Sequence, residues 1–308
     1  MRGSAAWLFA ACVSIWGTTW LAITFQLGRV PPEASVGWRF ALASAVVFGL
    51  CLATGRTLRF PLRVHALLAL LGLSMFCLSY LFVYHAETIL VSGLVAVGYS
   101  ASPLVNLAVS RIALGVPASG RLAAGGLLGM AGVALVFWPE LARFPADGPA
   151  LAGVALTAGA VVASSVGNVF ATLVERRGLD VWQRMAWGMG YGAAGCLAAA
   201  GLRGERLDFE WTAAYVGSLA YLAVLGSVAA FAAYLTLLQR AGAARVGYVG
   251  VMVPIVALAV SGVFEGFRWG PLTVAGIAVA VAGNVLVLRR AEPSPAGGPR
   301  PPPTGADR

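Results

Sequence analysis

The sequence contains no lysine and few acidic residues. All 21 basic residues are arginine, only 12 residues are Asp or Glu, and charged side chains make up 11% of the 308 residues, whereas 59% are hydrophobic. A water-soluble domain of this length does not hide so much apolar surface in its core. The absence of lysine also excludes a retinal-binding receptor, because the chromophore needs a lysine amine for its Schiff base. A lipid bilayer is therefore the predicted solvent of the chain.

The sequence also lacks the residue patterns of metal and catalytic sites. Its four cysteines, Cys12, Cys51, Cys77 and Cys196, lie in apolar runs without paired spacing, which argues against a disulfide framework or a metal site. No HExxH motif occurs, and GYSAS at 98–102 matches a nucleophile elbow only in part. The arginines are spread over short loops, which argues against nucleic acid as a partner. We expect a protein that is not an enzyme and uses neither a cofactor nor a metal.

Ten apolar runs of about 20 residues, the length that crosses a bilayer, are separated by short charged or Gly/Pro-containing turns. They predict an all-α integral membrane protein with ten transmembrane helices near residues 6–26, 34–54, 66–86, 89–112, 121–138, 151–174, 182–202, 212–238, 244–264 and 270–289. The first run leads directly into further spans and carries only Arg2 ahead of it, so we interpret it as a helix rather than a signal peptide. Residues 291–308 have no apolar periodicity and are expected to form a disordered cytoplasmic tail.

Arginine is distributed unequally between the two ends of the predicted helices. With the N-terminus inside the cell, fifteen arginines lie on the inner side and six on the outer side. Cytoplasmic loops carry the excess of positive charge, and an even number of spans returns the chain to the side where it began. We therefore predict a multi-pass protein of the bacterial inner (plasma) membrane with both termini in the cytoplasm.

Two stretches of the chain nearly repeat each other. Residues 103–115 read PLVNLAVSRIALG and residues 254–266 read PIVALAVSGVFEG, and the match continues without a gap, at an offset of 151 residues, as far as residue 136. The matched pairs include Pro103 with Pro254, Gly115 with Gly266, Gly125 with Gly276 and Gly132 with Gly283. Because each copy holds five predicted helices, the second copy enters the membrane from the opposite face, as in many secondary transporters. We predict one five-helix repeat over 1–140 and a second, inverted repeat over 141–290.

These features resemble a known family. The ten-helix plan, the segment SIWGTTWLAI at 14–23, Arg39 early in the second helix and the paired Pro…Gly…Gly pattern are similar to the EamA family of the drug/metabolite transporter (DMT) superfamily, over residues 5–290. Within that family the chain is most similar to exporters of aromatic amino acids and related metabolites of the YddG type. The sequence departs from the family at one point: many members carry a Glu shortly after the proline in both halves, whereas Glu265 is matched here by Leu114.

Aromatic and polar residues at mid-depth in the predicted helices are candidates for a substrate site, because a buried Tyr or Trp needs a hydrogen-bond partner. Trp16 and Trp20 share one helix face with Thr19 beside them. Each of these residues could instead fill gaps between helices; Asn168 and Asn106 could bridge neighbouring helices, and Arg39 could extend to the outer surface. The predicted substrate-binding residues are Trp16, Thr19, Trp20, Arg39, Tyr80, Tyr84, His85, Tyr99, Asn168, Trp187, Tyr234 and Tyr248.

Proline and glycine residues predict bends and close contacts. Pro103 and Pro254 lie near the middle of the fourth and ninth predicted helices, where a proline removes a backbone hydrogen bond. They are predicted hinges, with static kinks for packing as the alternative. The Gly-x-x-x-Gly pairs 125/129 and 188/192 predict close approach of helices, within one protomer or between two.

The candidate site favours a neutral or zwitterionic substrate. No Asp or Glu lies at the centre of a predicted span, so proton coupling has little support, and His85 is the titratable candidate near the cavity. The lack of deep arginine argues against phosphate compounds. We predict export of small metabolites, most of all large neutral amino acids, by alternating access through a central cavity between the repeats. Another metabolite class, such as nucleotide sugars or drug-like compounds, and a passive uniporter or channel are the alternatives. The expected partners are a small-molecule substrate and membrane lipid, and the expected state is a monomer or weak homodimer.

Overall fold

The computed structural model describes residues 2–115, 120–143, 148–241 and 243–288. Within these residues the chain consists of helices joined by short loops, with no β-strand. All four cysteines are described, and all are free and buried. The predicted tail, residues 291–308, lies outside the described residues. The all-helical fold class predicted from the sequence is confirmed.

The first half of the chain contains α1 (Arg2–Thr24), α2 (Pro32–Ala53), α3 (Leu62–Leu71), α4 (Ser79–Glu87), α5 (Ser92–Gly98), α6 (Ser102–Leu114) and α7 (Gly120–Arg143). A π-helical segment, Gly72–Leu78, joins α3 to α4 without a break. One 3-10 turn, Tyr99–Ala101, joins α5 to α6. Each pair forms one longer rod where the sequence predicted one uninterrupted helix. Pro103 consequently stands in the first turn of α6 rather than in the middle of a regular helix.

The second half repeats this order. It contains α8 (Pro149–Glu175), α9 (Val181–Leu202), α10 (Ala213–Ala220), α11 (Ala230–Ala241), α12 (Ala243–Phe264) and α13 (Pro271–Leu288). The starts of α3, α5 and α7 are followed 151 residues later by the starts of α10, α12 and α13. This spacing equals the offset of the sequence repeat, so the two copies have similar helix boundaries. Pro254 lies inside α12, which continues through it.

A second π-helical segment, Tyr221–Ala229, joins α10 to α11 at the place that matches the first one. After each segment the backbone N–H bonds to the carbonyl five residues earlier, from Ser79 to Ser74 and from Ala230 to Leu225. π-helical turns are rare and occur frequently at functional sites. Their presence in both copies therefore directs attention to the helices around them.

In the part of the chain that the structure describes, six helical stretches are long and apolar enough to cross a membrane: Ala5–Thr24, Pro32–Ala53, Leu62–Glu87, Ser92–Leu114, Pro149–Glu175 and Ala213–Leu237. Three further stretches of the described residues are apolar but shorter: Ala123–Pro139, Tyr248–Phe264 and Pro271–Leu286. Helix α9 belongs to neither group. These lengths fit an all-helical membrane protein, and the exact count of ten spans stays a prediction.

Helices α7 and α13, the last helix of each copy, pack backbone against backbone. A Cβ atom added at Gly276 would lie 2.7 Å from the Gly132 carbonyl oxygen, and one added at Gly283 would lie 2.5 Å from the Gly125 carbonyl oxygen. Since residues 125 and 276, and 132 and 283, are matched in the sequence repeat, each contact is the counterpart of the other. Reciprocal contacts of this kind are those expected across a two-fold axis. The repeated glycines thus bring the two copies together.

The glycine that closes each quoted repeat motif ends a helix. Gly115 follows α6 with φ +67°, and Gly266 lies just after α12 with φ +69°. This left-handed conformation is the usual C-terminal cap of a helix and favours glycine, which has no Cβ. The cap residue is therefore repeated because the helix end is repeated.

Candidate substrate cavity

A cavity of about 510 Å³ lies between the two copies. This volume is within the range of small-molecule sites, roughly 300–1,000 Å³. Helices α1, α2, α4, α5 and α6 contribute to its wall from the first copy, and α8, α11, α12 and α13 contribute from the second. The predicted site residues that line it are Trp16, Thr19, Trp20, Arg39, Tyr80, Tyr99, Asn168, Pro103 and Pro254.

Aromatic rings form much of the wall. Trp20 meets Tyr99 edge to face, with ring centroids 5.2 Å apart, and Trp16 meets Phe231 in the same way at 5.2 Å. The indole N–H of Trp16 donates to the carbonyl of Gly226, 3.0 Å away in the second π-helical segment. The polar atom of this indole is therefore satisfied by the protein, and the ring is held in place to offer its apolar face to a ligand.

The Tyr99 hydroxyl is fixed by a short chain of hydrogen bonds. Ser79 donates its single hydroxyl proton to the Ala160 carbonyl at 2.9 Å, so the Tyr99 hydroxyl donates to Ser79 Oγ, 3.0 Å away. The phenolic oxygen keeps its lone pairs as acceptors. It is thus suited to receive a proton donor such as an ammonium group.

Arg39 is the charged side chain of the cavity wall within the described residues. It is 3% exposed, and its guanidinium carbon lies 4.7 Å from the Tyr80 ring centroid and 5.2 Å from that of Phe40. Its Nε and Nη1 atoms are buried and have no hydrogen-bond acceptor among the described residues. The side chain turns inward rather than extending to the outer surface, so the inference that no deep arginine is present was wrong. A guanidinium group with two such nitrogens is suited to a carboxylate.

Two asparagines add amide groups to the wall. Asn168 donates through Nδ2 to Asn106 Oδ1 at 3.1 Å, so it bridges α8 to α6 and also lines the cavity. Asn284 lines the cavity and donates to the Ala280 carbonyl at 3.1 Å. Sequence reasoning missed Asn284, and it also missed Phe76, Ser79 and Phe231, because serine and phenylalanine are too common in membrane helices to be distinctive.

Three predicted site residues lie behind the cavity wall or beyond it. Tyr84 is fully buried between helices. Tyr234 packs behind Trp16, with ring centroids 5.4 Å apart. Tyr248 is 39% exposed and is absent from the lining. The structure therefore does not bring these three tyrosines to the cavity wall.

Two further predicted site residues belong to contacts at the ends of the helices. His85 Nε2 lies 3.0 Å from the Glu33 carboxylate, which Arg203 also contacts at 2.5 Å. Trp187 lies at the opposite end, where its indole N–H donates to the Leu58 carbonyl at 3.1 Å. Neither residue lines the cavity. Their partners are far away in sequence, so the sequence alone did not reveal these roles.

The cavity is closed at one end and open at the other. At the closed end, the lining residues Ile23, Val83 and Ala96 are at most 3% exposed, and all seven residues of α5 are buried. At the other end, the lining residues Asn168 and Gly250 are exposed. The cavity therefore opens toward the end of the molecule at which α8 finishes and α12 begins.

Contacts between the two copies seal the closed end. A Cβ atom added at Gly93 would lie 2.7 Å from the Leu258 Cα, and the Gly93 amide donates to Ser261 Oγ at 2.7 Å. The Glu265 carboxylate accepts the amide N–H of Ser92 at 3.0 Å and the hydroxyls of Ser92 and Ser261. The start of α5 is thus fastened to the end of α12.

Comparisons with known proteins agree with this architecture. The model of the EamA-like transporter family matches residues 3–138 and again residues 151–289. The fold is similar to that of a solved protein crystal structure, with a TM-score of 0.65 and 20% sequence identity over 94% of this chain and 100% of that chain. A likeness at this identity concerns the fold alone.

Similar sequences include several bacterial proteins. YedA of Escherichia coli strain K12, named as an uncharacterized inner membrane transporter, is 28% identical over 254 residues, which are 82% of this chain and 79% of that protein. YvbV of Bacillus subtilis strain 168, named as an uncharacterized transporter, is 25% identical over 291 residues, or 92% and 90%. Protein PagO of Salmonella typhimurium is 29% identical over 107 residues, only 35% of each chain. With both halves matched by the family model, the chain belongs to the EamA-like transporter family.

Proposed function

We propose that this transporter carries large neutral amino acids through the cavity by alternating access. The main support is the composition of the cavity wall, in which aromatic rings surround one guanidinium group whose Nε and Nη1 atoms have no acceptor among the described residues. The rings offer dispersion and stacking to an apolar side chain. The guanidinium offers the N–H groups of these two nitrogens to a carboxylate. A zwitterion with a large apolar side chain matches both.

The ammonium group of the zwitterion has suitable hydrogen-bond acceptors in the cavity wall. The Tyr99 oxygen and the amide of Asn284 lie in the same wall, and each retains acceptor capacity for an ammonium group. A lysine side chain would bring a second positive charge without a carboxylate in the wall to offset its desolvation. A phosphate would bring about two negative charges to a single arginine. We therefore expect aspartate, lysine and sugar phosphates to be poor substrates.

We propose a topology of ten spans in two inverted halves, with both termini in the cytoplasm of a bacterium. The open end of the cavity is the end that carries Arg56, Asp180 and Arg184, since the end of α2 and the start of α9 meet there. Excess arginine favours the cytoplasmic side. The structure would then be the inward-open state, with the Gly93 seal on the outer side. Export is the direction that the resemblance to amino-acid exporters implies.

Counterflow in proteoliposomes tests this function. Vesicles preloaded with unlabelled L-phenylalanine are placed in trace labelled L-phenylalanine, and a carrier accumulates the label transiently and saturably, whereas a channel does not. We expect competition by tryptophan, methionine and leucine, and little by aspartate, lysine or glucose 6-phosphate. Strong counterflow with the sugar phosphate, or unsaturable flux, would contradict the proposal.

A further inference from the structure

A carboxylate joins the two copies at the closed end of the cavity. The Glu265 carboxylate, just after α12, accepts the backbone N–H of Ser92 at 3.0 Å and the hydroxyl protons of Ser92 and Ser261. Ser261 Oγ in turn accepts the backbone N–H of Gly93 at 2.7 Å. Both serines are fully buried, and hydrogen bonds to a carboxylate are stronger than those between neutral groups. We call these four residues, Ser92, Gly93, Ser261 and Glu265, the Glu265 lock.

The lock satisfies backbone groups that have no partner in their own helix. The amides of Ser92 and Gly93 belong to the first turn of α5, where N–H groups find no acceptor within the helix. Here the acceptors come from α12 and the residue after it. Gly93 also permits the close approach, because an added Cβ would lie 2.7 Å from the Leu258 Cα. Opening this end of the cavity therefore breaks the lock and exposes its polar groups to water.

The first copy of the sequence repeat lacks most of the lock at the matched positions. At the offset of 151 residues, the matched pairs are Ser92 with Ala243, Gly93 with Ala244, Ser261 with Ser110 and Glu265 with Leu114. A leucine side chain accepts no hydrogen bond, and an alanine side chain donates none. Alanine also carries the Cβ atom that is absent from Gly93. Of the four residues of the lock, the repeat thus keeps one serine.

The inverted arrangement of the copies gives this difference a consequence. In transporters built from inverted repeats, the two halves exchange their roles when the cavity changes the side to which it opens. The contacts that close one end are then made at the other end by the matched residues. Helix α6 ends and α12 begins at the open end of the cavity, and the matched residues there rebuild neither the bonds to a carboxylate nor the contact at a glycine. The two states are therefore not equally stabilised.

We propose that the Glu265 lock sets the resting state of the transporter. The lock stabilises the state in which the end at Ser92 is closed and the end at Gly250 is open, and the opposite state has no counterpart of it. Populations follow this difference in free energy. In the proposed topology the cavity rests open to the cytoplasm, and breaking the lock is the step that presents its contents to the outside. This inference rests on the proposed function for alternating access and not for the identity of the substrate.

Cysteine labelling measures the two states. Native cysteines are removed, and a reporter is placed at each end of the cavity: Ala96→Cys at the closed end, and Gly250→Cys at the open end, where an added Cβ meets no atom within 4 Å. An impermeant maleimide is added to intact cells for the first reporter and to inside-out vesicles for the second. We expect slow labelling of Ala96→Cys and fast labelling of Gly250→Cys. Equal rates would overturn the proposed resting state.

Glu265→Leu gives the second copy the residue of the first. We expect labelling of Ala96→Cys from outside to rise about tenfold or more, because the closed state loses the acceptor of its strongest hydrogen bonds. Glu175→Leu is the matched control and should leave the rate unchanged, because Glu175 is exposed and lies outside both the cavity and the lock. Equal rates in the two variants would contradict the proposal.

Transfer of the lock to the first copy tests the asymmetry at a distance. Leu114→Glu, combined with Ala243→Ser and Ala244→Gly, introduces the missing residues at the open end. Labelling of Ala96→Cys, at the closed end, should nevertheless rise about tenfold, since the opposite state is now stabilised. The control combines Leu114→Ala with the same two substitutions and adds no carboxylate. No rise above this control would overturn the proposal, even if Glu265→Leu fails to fold or only loosens its own end.

The two proposals fail in different ways. If no amino acid undergoes counterflow but both sets of variants change the labelling as expected, the amino-acid function is wrong and the lock stands. If L-phenylalanine undergoes counterflow but neither set of variants changes the labelling, the amino-acid function stands and the role of the lock is wrong.

Discussion

At the scale of single residues, Trp16 is held as a fixed apolar surface of the cavity, because its indole N–H is already bonded to Gly226. We expect Trp16→Ala to weaken binding of L-tryptophan or L-phenylalanine by about 1–3 kcal/mol, the typical value of burying a large apolar side chain. Quenching or calorimetric titration of the purified protein measures this loss. Trp211→Ala is the matched control, because Trp211 is 84% exposed and lies outside the cavity. Equal affinity in both variants would remove Trp16 from the site.

Arg39 has a different proposed role at the same scale, since two of its guanidinium nitrogens, Nε and Nη1, have no acceptor among the described residues. Arg39→Lys keeps the charge but removes the planar fork, so we expect L-phenylalanine to bind more weakly by about 1.5–3 kcal/mol, the value of a hydrogen bond to a charged group. L-phenylalaninamide, which lacks the carboxylate, should bind the variant and the wild type alike. Titration with both ligands measures the difference. Equal losses for the two ligands would indicate that Arg39 supports the fold rather than the carboxylate.

At the scale of helices, the closed end of the cavity depends on the close approach of α5 to α12 at Gly93. Gly93→Ala would place a Cβ 2.7 Å from the Leu258 backbone, and we expect overpacking of about 1–3 kcal/mol to oppose the closed state. In a background without native cysteines, Ala96→Cys should then react faster with an impermeant maleimide added outside the cell. Gly49→Ala is the control, because no atom lies within 4 Å of its added Cβ. Unchanged labelling would show that another contact closes this end.

The apolar runs of the sequence predicted the positions of the helices well, but they did not predict the irregular segments within the helices. Three helices begin at Pro32, Pro149 and Pro271, within a few residues of the predicted starts, because proline fits the first turn of a helix although it resembles a turn signal in the sequence. The π-helical segments Gly72–Leu78 and Tyr221–Ala229 were missed, since no residue type marks a bond to the fifth residue back. These details depend on packing between helices rather than on local preference.

At the scale of the whole molecule, the sequence repeat predicted the matched elements, whereas the site depends on partners that only the folded chain brings together. The cavity collects residues from Trp16 to Asn284, and periodicity found Trp16 and Trp20 because they recur on one helix face, but it missed Phe76 and Phe231. Glu87 and His85 lie two residues apart in sequence, yet the Glu87 carboxylate is buried with no hydrogen-bond partner among the described residues, whereas His85 meets Glu33, 52 residues away. Whether a charged side chain is buried depends on the tertiary structure. The position of Glu87 at the end of a predicted helix therefore did not reveal that its carboxylate is buried.

The orientation of the whole molecule in the membrane gives the last prediction. Arg56 meets Asp180 at the open end of the cavity, and Arg203 meets Glu33 at the closed end, so the loops after α2 and after α9 lie at opposite ends. The excess of arginine on the side of Arg56 favours the cytoplasm. With native cysteines removed, Asp208→Cys should react with an impermeant maleimide added to intact cells, whereas Thr57→Cys should react only after the cells are opened. Labelling of Thr57→Cys alone from outside would place the open end of the cavity on the outer face and reverse the proposed topology. Labelling of both variants from outside would contradict the inverted arrangement of the two halves.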